Sequence, residues 1–236
     1  SPDGTKYAIY IPSTALCVFD AATLEQIACA SFEDVDIRPR QEDMVWSPDS
    51  TRIAFGEQAF IYGDDGDLWV MDATTGDLTN LTDDGFSGAL FNFDDPLSAT
   101  LSVDVAPAWT PDSQFLTYSR SNWIEGERSG NDIAQIPAAG GEVETLTTVS
   151  TSVPGVVFYG TKWSPDGETF YYSENDFDRG SPNNGIWAYD KATGETALFA
   201  AADADDLGPL ALLQLSPAGD AMLAWYPDAF GQFKVE

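Results

Sequence analysis

The residues in this sequence best suited to chemistry are clustered aspartates. They stand as Asp64-Asp65-Gly66-Asp67, Asn175-Asp176-Phe177-Asp178 and Asp203-Ala204-Asp205-Asp206-Leu207-Gly208. Oxygen-rich loops with glycine turns suit Ca²⁺, which takes about six to eight hard ligands. Asp64, Asp65, Asp67, Asp176, Asp178, Asp203 and Asp205 are the candidate ligands. None of the three stretches completes the twelve-residue EF-hand loop, and Gln214 stands where the last would need its Glu. The simpler reading of each is a solvated acidic loop, and no cofactor is required. Two carboxylates about 5 to 10 Å apart can also hydrolyse glycosides, but among 39 acids no pair stands out.

A second group of residues suits recognition. The stretch from Asp83 to Pro96 carries Phe86, Leu90, Phe91 and Phe93, more apolar surface than a solvated loop needs. Trp123 and Ile124 raise the same question in Ser121-Asn122-Trp123-Ile124-Glu125. Two readings stand for each: a satellite cluster tucked under the loop, or a patch that meets a protein partner.

Much chemistry is excluded. The chain has no His, which removes the commonest general base, the Ser-His-Asp and Cys-His arrangements and nearly all zinc-enzyme sites. No G-x-S-x-G elbow, P-loop, G-x-G-x-x-G or C-x-x-C is present, and Gly85-Phe86-Ser87-Gly88 misses the elbow spacing. With 39 acids against 10 bases the net charge is −29. Such a chain repels nucleic acid and anionic lipid, and suits cations, basic partners or a salty medium. No apolar run approaches the ~18 residues of a membrane span. The sequence opens inside a turn, without an initiator Met, so it is expected to be a mature or truncated piece whose targeting segment is not visible.

The elements that must position these residues repeat. Ser1-Pro2-Asp3-Gly4 recurs as Ser47-Pro48-Asp49-Ser50, Thr110-Pro111-Asp112-Ser113, Ser164-Pro165-Asp166-Gly167 and, degraded, Ser216-Pro217-Ala218-Gly219. Trp46, Trp109 and Trp163 precede three of these turns, and Leu215 precedes the last. Proline presets a type I turn, Asp suits the next position, and Gly or a small residue closes it. Tyr7/Ile9, Ile53/Phe55, Leu116/Tyr118, Phe170/Tyr172 and Met222/Ala224 follow with a period of two, which marks one buried strand face. Further strands and polar turns such as Thr74-Thr75-Gly76-Asp77 and Thr193-Gly194-Glu195 complete four strands per unit. No amphipathic helix is expected.

The run Val45-Trp46-Ser47-Pro48-Asp49, Arg52-Ile53-Ala54-Phe55, Asp67-Leu68-Trp69-Val70-Met71-Asp72 and Leu81-Thr82 resembles the WD40-like (PD40) repeat of TolB-like β-propellers. The same repeat is similar to blades of the tricorn protease and of prolyl-oligopeptidase-type peptidases. The resemblance implies an all-β fold, a propeller of four-stranded antiparallel blades. The ring is expected to be incomplete, with three full and two partial blades in a single domain over 1–236. The blades are placed at about 1–30 (partial), 42–82, 103–147, 156–200 and 210–236 (partial). Rings of this kind usually have six or more blades, so the resemblance implies sequence beyond this chain.

In such a blade the first and third turns lie at one end and the longer loops at the other. The long-loop end is where binding is expected. The leading functional expectation is a non-enzymatic propeller, a protein-interaction platform or a subunit of an exported assembly. The alternative is the propeller portion of a larger enzyme, a prolyl-oligopeptidase-like peptidase or a carboxylate glycosidase.

The only two cysteines, Cys17 and Cys29, occupy equivalent slots of a strand pair that hold Trp69/Leu81, Ala134/Leu146 and Trp187/Phe199 in the other repeats. Facing positions there lie within disulfide range. A disulfide is expected, with two buried thiols as the alternative. A disulfide would favour a periplasmic or extracellular setting, as is common for TolB-like propellers.

Overall fold

A computed structural model of the chain describes residues 1–32, 37–57, 66–85, 91–92, 95–96, 101–124, 127–149, 157–175, 181–201, 211–226 and 229–234. Among them there is no α-helix, only a 3-10 turn at Gln41–Asp43. The first sheet holds β1 (Lys6–Ile11), β2 (Ala15–Asp20) and β3 (Gln26–Ser31). The second holds β4 (Val45–Trp46), β5 (Arg52–Gly56), β6 (Leu68–Asp72) and β7 (Leu78–Asn80). A short pair, β8 (Phe91–Asn92) and β9 (Asp95–Pro96), follows. The third sheet holds β10 (Leu101–Trp109), β11 (Phe115–Ile124), β12 (Glu127–Pro137) and β13 (Glu144–Val149). The fourth holds β14 (Val157–Trp163), β15 (Thr169–Asn175), β16 (Gly185–Asp190) and β17 (Thr196–Ala201). The fifth holds β18 (Ala211–Leu215), β19 (Ala221–Tyr226) and β20 (Ala229–Lys234). In chain order, three four-stranded sheets thus come between two three-stranded ones among the described residues. Within each, strands pair in chain order. The chain divides into two compact units, Ser1–Ser129 with Ala134–Glu144, and Gly130–Ile133 with Thr145–Glu236.

The repeated turns explain the hairpins. Ser47 Oγ donates to Asp49 Oδ1 at 2.6 Å and accepts the Arg52 amide at 2.9 Å, while Asp49 Oδ1 accepts the Thr51 amide at 3.1 Å. Thr110 with Asp112 and Ser164 with Asp166 repeat this wiring. Trp46, Trp109 and Trp163 each end the first strand of their sheet, one residue before the turn. At the same end the Ala73 amide donates to Thr51 O, Ala21 to Thr5 O, Ala138 to Gln114 O and Lys191 to Glu168 O. First and third turns therefore share one end of each sheet, as the repeat implied.

Sheets pack by both faces. In the first unit Ile53, Phe55 and Met71 bury against Leu16, Val18 and Phe32. Ala54, Leu68 and Val70 bury on the other side against Trp109, Leu116 and Tyr118. In the second unit Tyr171 and Ile186 bury with Leu212, Met222 and Ala224. The period of two had marked one buried face, but the second sheet buries two, because it lies between the first and the third. The expectation fails in the first sheet for the same reason. Tyr7 is half-buried and Ile9 is 44 % exposed, since among the described residues no sheet packs on their side. Ala8 and Tyr10, on the opposite face, pack into the core.

Polar contacts clasp neighbouring turns in the first unit. The Asp3 amide donates to Ser50 Oγ and the Asp49 amide to Ser113 Oγ, both at 3.1 Å. Arg52 reaches across to Ser113 O at 2.6 Å and lies 4.8 Å over the Trp109 ring, whose Nε1 donates to Val45 O. The fourth turn position is left-handed throughout: Gly4, Gly167 and Gly219 adopt φ 71°, 76° and 75°, and Ser50 and Ser113 adopt 61°. Serine tolerates that strain because its hydroxyl receives the neighbouring turn's amide.

Cys17 and Cys29 face each other directly across β2 and β3, with Cα atoms 4.0 Å apart, and form the expected disulfide. The equivalence of slots is not uniform. Trp69 faces Asn80 because the second sheet's register runs from Met71↔Leu78 to Trp69↔Asn80 without a bulge, and Trp187 faces Leu198 because the bulge of the fourth sheet falls at Phe199, two residues farther from the turn than the position equivalent to the first sheet's bulge at Ile27. The cross-link closes a separation of 12 residues, which by chain entropy contributes about 3 kcal/mol.

Ser113→Ala should destabilise the first unit by about 1–3 kcal/mol, because it keeps the left-handed strain and leaves the Asp49 amide unpaired. Ser113→Gly relieves the strain and should be milder. Urea unfolding of both variants checks the order, and equal losses would contradict the clasp. At Gly160, φ is 61° and an added Cβ would overlap the Leu212 carbonyl oxygen. Gly160→Ala should therefore lower the stability of the second unit by about 2–4 kcal/mol in the same assay.

Candidate functional site

The sheet ends opposite the Ser-Pro-Asp turns carry the longer loops, and in the first unit they converge on buried charge. β5 ends at Gly56, where a Cβ would meet Asp43 Oδ2 at 3.2 Å and Asp104 O at 3.4 Å. Gly66 bridges Val103, and the Asp104 amide donates to Gly66 O at 2.7 Å. The backbone thus draws Asp104 on β10 toward the loop that leads into β6. Opposite it on β11 stands Arg120, in a register set by the bulge at Ala106 and Pro107. Ala106 takes φ 55° there, and its amide donates to Asp43 Oδ2 at 3.0 Å.

Arg120 grips Asp104 with two parallel bonds, Nε to Oδ1 at 2.8 Å and Nη2 to Oδ2 at 2.7 Å. The Asp104 side chain is fully buried. Arg120 also lies 5.4 Å over the ring of Tyr118, whose buried hydroxyl has no hydrogen-bond partner among the described residues. Nearby, Asp67 accepts Asn80 Nδ2 at 2.7 Å and Thr82 Oγ1 at 3.3 Å. Asp84 Oδ2 accepts the Ser102 amide at 2.9 Å, tying the start of the longest loop to β10.

Burial sets the electrostatics. It pushes the Asp104 carboxyl up to about 6, against the pull of the Arg120 fork. Burial also raises Asp67, and the charges of Asp84 and Asp83 add to the effect. Arg120, held by Asp104 despite its own burial, stays charged at every accessible pH. The exposed turn carboxylates move the other way: backbone amides hold Asp20 and Asp190 below their ordinary value, and Ser164 does so for Asp166.

The sequence-derived candidates fare unevenly. Asp64, Asp65, Asp176, Asp178, Asp203 and Asp205 lie outside the described residues, as do Phe86, Leu90 and Phe93. Phe91 lies on β8 and Trp123 on β11, and the side chains of both are outside the described set. Asp67, the one described member of the set, accepts hydrogen bonds from Asn80 and Thr82. Among the described residues no group of three or more carboxylates or cysteines converges as a metal site needs. Ile124 is 53 % exposed at the end of β11. β11 runs on from Arg120 to Ile124 beyond Ser119, the counterpart of Gly56 where β5 stops. That extension is about 16 Å long.

These features define a β-propeller fold built of four-stranded antiparallel sheets, the fold of TolB-like proteins. The family model for the N-terminal region of dipeptidyl peptidase IV matches residues 18–125. A structure assigned as TolB from Agrobacterium tumefaciens is similar at TM-score 0.58 and 17 % identity, over 97 % of this chain and 69 % of that one. Dihydro-heme d1 dehydrogenase NirN, solved in complex with DHE, is similar at TM-score 0.60 and 13 % identity, over 100 % of this chain and 42 % of that one. Oligogalacturonate lyase from Vibrio parahaemolyticus is similar at TM-score 0.60 and 16 % identity, over 95 % of this chain and 56 % of that one. No curated protein matches the sequence. At these identities the likeness is one of fold. No helix among the described residues is long and apolar enough to cross a membrane.

The raised Asp104 makes a signed prediction. Its folded value of about 6 exceeds the ordinary 3.8, so between those values the folded chain binds a proton that the unfolded chain does not. Acidification through that window stabilises the fold, by an amount on the order of 1–3 kcal/mol. Below it, the turn aspartates lose their contribution as pH falls through their depressed values. Tm should therefore rise from neutral pH to a maximum near pH ~4.5 and fall below it. Asp104→Asn should flatten the rising limb. A Tm that declines steadily from pH 7 downward would contradict this.

Proposed function

We propose that this chain is a non-enzymatic propeller platform that binds a protein partner at its long-loop end. The extended β11 with exposed Ile124 at its end carries the reading. An apolar residue held out on a rigid strand is a poor choice for solubility and a good one for docking. The buried Asp104–Arg120 pair supports it by bracing the base of that extension. The absence of His from the whole sequence removes most hydrolytic machinery. The disulfide favours a periplasmic or extracellular setting, where cross-links persist. The charge of −29 favours a basic surface on the partner.

A second reading has one observation behind it. The matching family model describes the N-terminal region of a peptidase, and the chain spans only part of each similar structure. On that reading the propeller gates or orients substrate for chemistry carried elsewhere in a larger enzyme.

A photo-crosslinking residue at Ile124, with one at Thr51 on the turn end as control, tests the platform in the native compartment. A discrete protein adduct from position 124 alone is expected. Equal labelling from both positions, or none, would count against the platform. Turnover of peptide or oligosaccharide by the purified protein would favour the enzyme reading.

A further inference from the structure

We propose that Asp67, Thr82 and Asp104 hold one proton between them, and that this proton latches the base of the long-loop end in the first unit. The observation is a shortage of hydrogens in a buried place. Asp67 is 4 %, Thr82 6 % and Asp104 0 % exposed. The Thr82 hydroxyl accepts the Leu68 amide at 2.9 Å and donates to Asp67 Oδ1 at 3.3 Å. The same hydroxyl hydrogen-bonds Asp104. A hydroxyl has one hydrogen to give, so it serves one carboxylate and turns a lone pair to the other. With both ionised, two like charges share a space where repulsion is poorly screened. A single added proton resolves this. Carried by Asp104, it points at Thr82 Oγ1, and the Thr82 hydrogen is then available to Asp67.

The surrounding charges favour holding that proton. Arg120 on β11 is forked onto Asp104, one positive charge against two negative ones. Tyr118 on the same strand keeps its own proton, because burial and the Asp104 charge both raise it. Its buried hydroxyl has no partner among the described residues. After β7, Asp83 and Asp84 add negative charge beside Asp67. From the 3-10 turn, Asp43 reaches the Ala106 amide, with Arg40 Nε 3.7 Å away. Just past β5, Glu57 accepts Trp69 Nε1 at 2.8 Å, and its amide donates to Asp67 O at 3.0 Å. Carboxylates thus outnumber cations here, which agrees with an Asp104 carboxyl pushed up to about 6.

The latch joins three chain segments: the loop into β6, the segment that leaves β7, and β10. The Asp104 amide holds Gly66 O, the Ser102 amide holds Asp84 Oδ2, and the Leu68 amide holds Thr82 Oγ1. Parting these segments hydrates both carboxylates, and a hydrated carboxylate ionises at its ordinary value. The closed arrangement therefore binds the proton more tightly than the open one. Closure strengthens as pH falls through about 6 and weakens toward neutral pH. This opening is local to the strand ends and leaves the packed sheets intact. It does not depend on what binds at this end.

Carbon-13 NMR of the side-chain carboxyl groups tests the shared proton, and amide exchange tests the latch. In the unaltered chain the Asp67 and Asp104 carboxyl signals should move together in one step near pH 6, since a shared proton titrates as a property of the pair. An Asp67 signal that stays flat through that step would overturn the sharing. Between about pH 7.5 and about pH 5, the protection of the Leu68 and Asp104 amides against local exchange should rise about tenfold after correction for the intrinsic rate. Asp104→Asn brings amide hydrogens in place of the proton. Its Leu68 amide should show the acid level of protection already at about pH 7.5 and gain no more on acidification. Protection that is unchanged or lowered by acid in the unaltered chain would overturn the latch. So would a variant whose Leu68 amide still gains tenfold. Both readings on the unaltered chain stand even where Asp104→Asn fails to fold.

Discussion

Ile53 and Ala54 are neighbours on β5 and point to opposite faces of the second sheet, yet both are buried. A four-stranded sheet that is apolar on both sides cannot stand alone in water. It exists only between two others, so the unit of stability is the stack and not the sheet. The dispersion and hydrophobic terms that hold Phe55 against Phe32, with ring centroids 5.9 Å apart, are those that hold the sheets in sequence. The polar parts follow from that arrangement. Once two sheets are pressed together their turns come into reach, and the amide of one aspartate finds the hydroxyl of the next turn's serine.

Much of this was legible because the turn chemistry repeats. Ser-Pro-Asp wiring depends on a hydroxyl, a fixed φ and a carboxylate at fixed offsets, and all three are written in residue types. The tryptophan before three of the turns and the pairing of Cys17 with Cys29 followed from aligning the repeats. What failed was anything that depends on whether a described sheet packs on a given face. Tyr7 and Ile9 have the sequence pattern of Ile53 and Phe55, but among the described residues only Ile53 and Phe55 meet a sheet on that face.

The buried Asp104–Arg120 pair was not legible, for a definite reason. Carrying the register straight from Trp109↔Leu116 would set Asp104 opposite Ser121 and Val105 opposite Arg120. The bulge at Ala106 and Pro107 shifts the ladder by one and brings carboxylate and guanidinium onto the same rung. With 39 acids to choose from, nothing in residue type alone marks Asp104. A proline within a strand beside the repeat's tryptophan was the available signal, since proline in a ladder marks an edge or a bulge.

The claim that the stack is the unit of stability is tested most directly by native-state hydrogen exchange in the first unit. The amides of Ile53 and Phe55 on β5 and of Leu116 and Tyr118 on β11 lie on different sheets, which meet where Ala54 of β5 packs with Leu116 and Tyr118. If the stack opens as one, the most protected of them exchange through a single opening, with the same free energy and the same denaturant dependence. If the β5 amides exchange through an opening of their own, at lower free energy and with β11 still protected, the sheets are independent and the account is wrong.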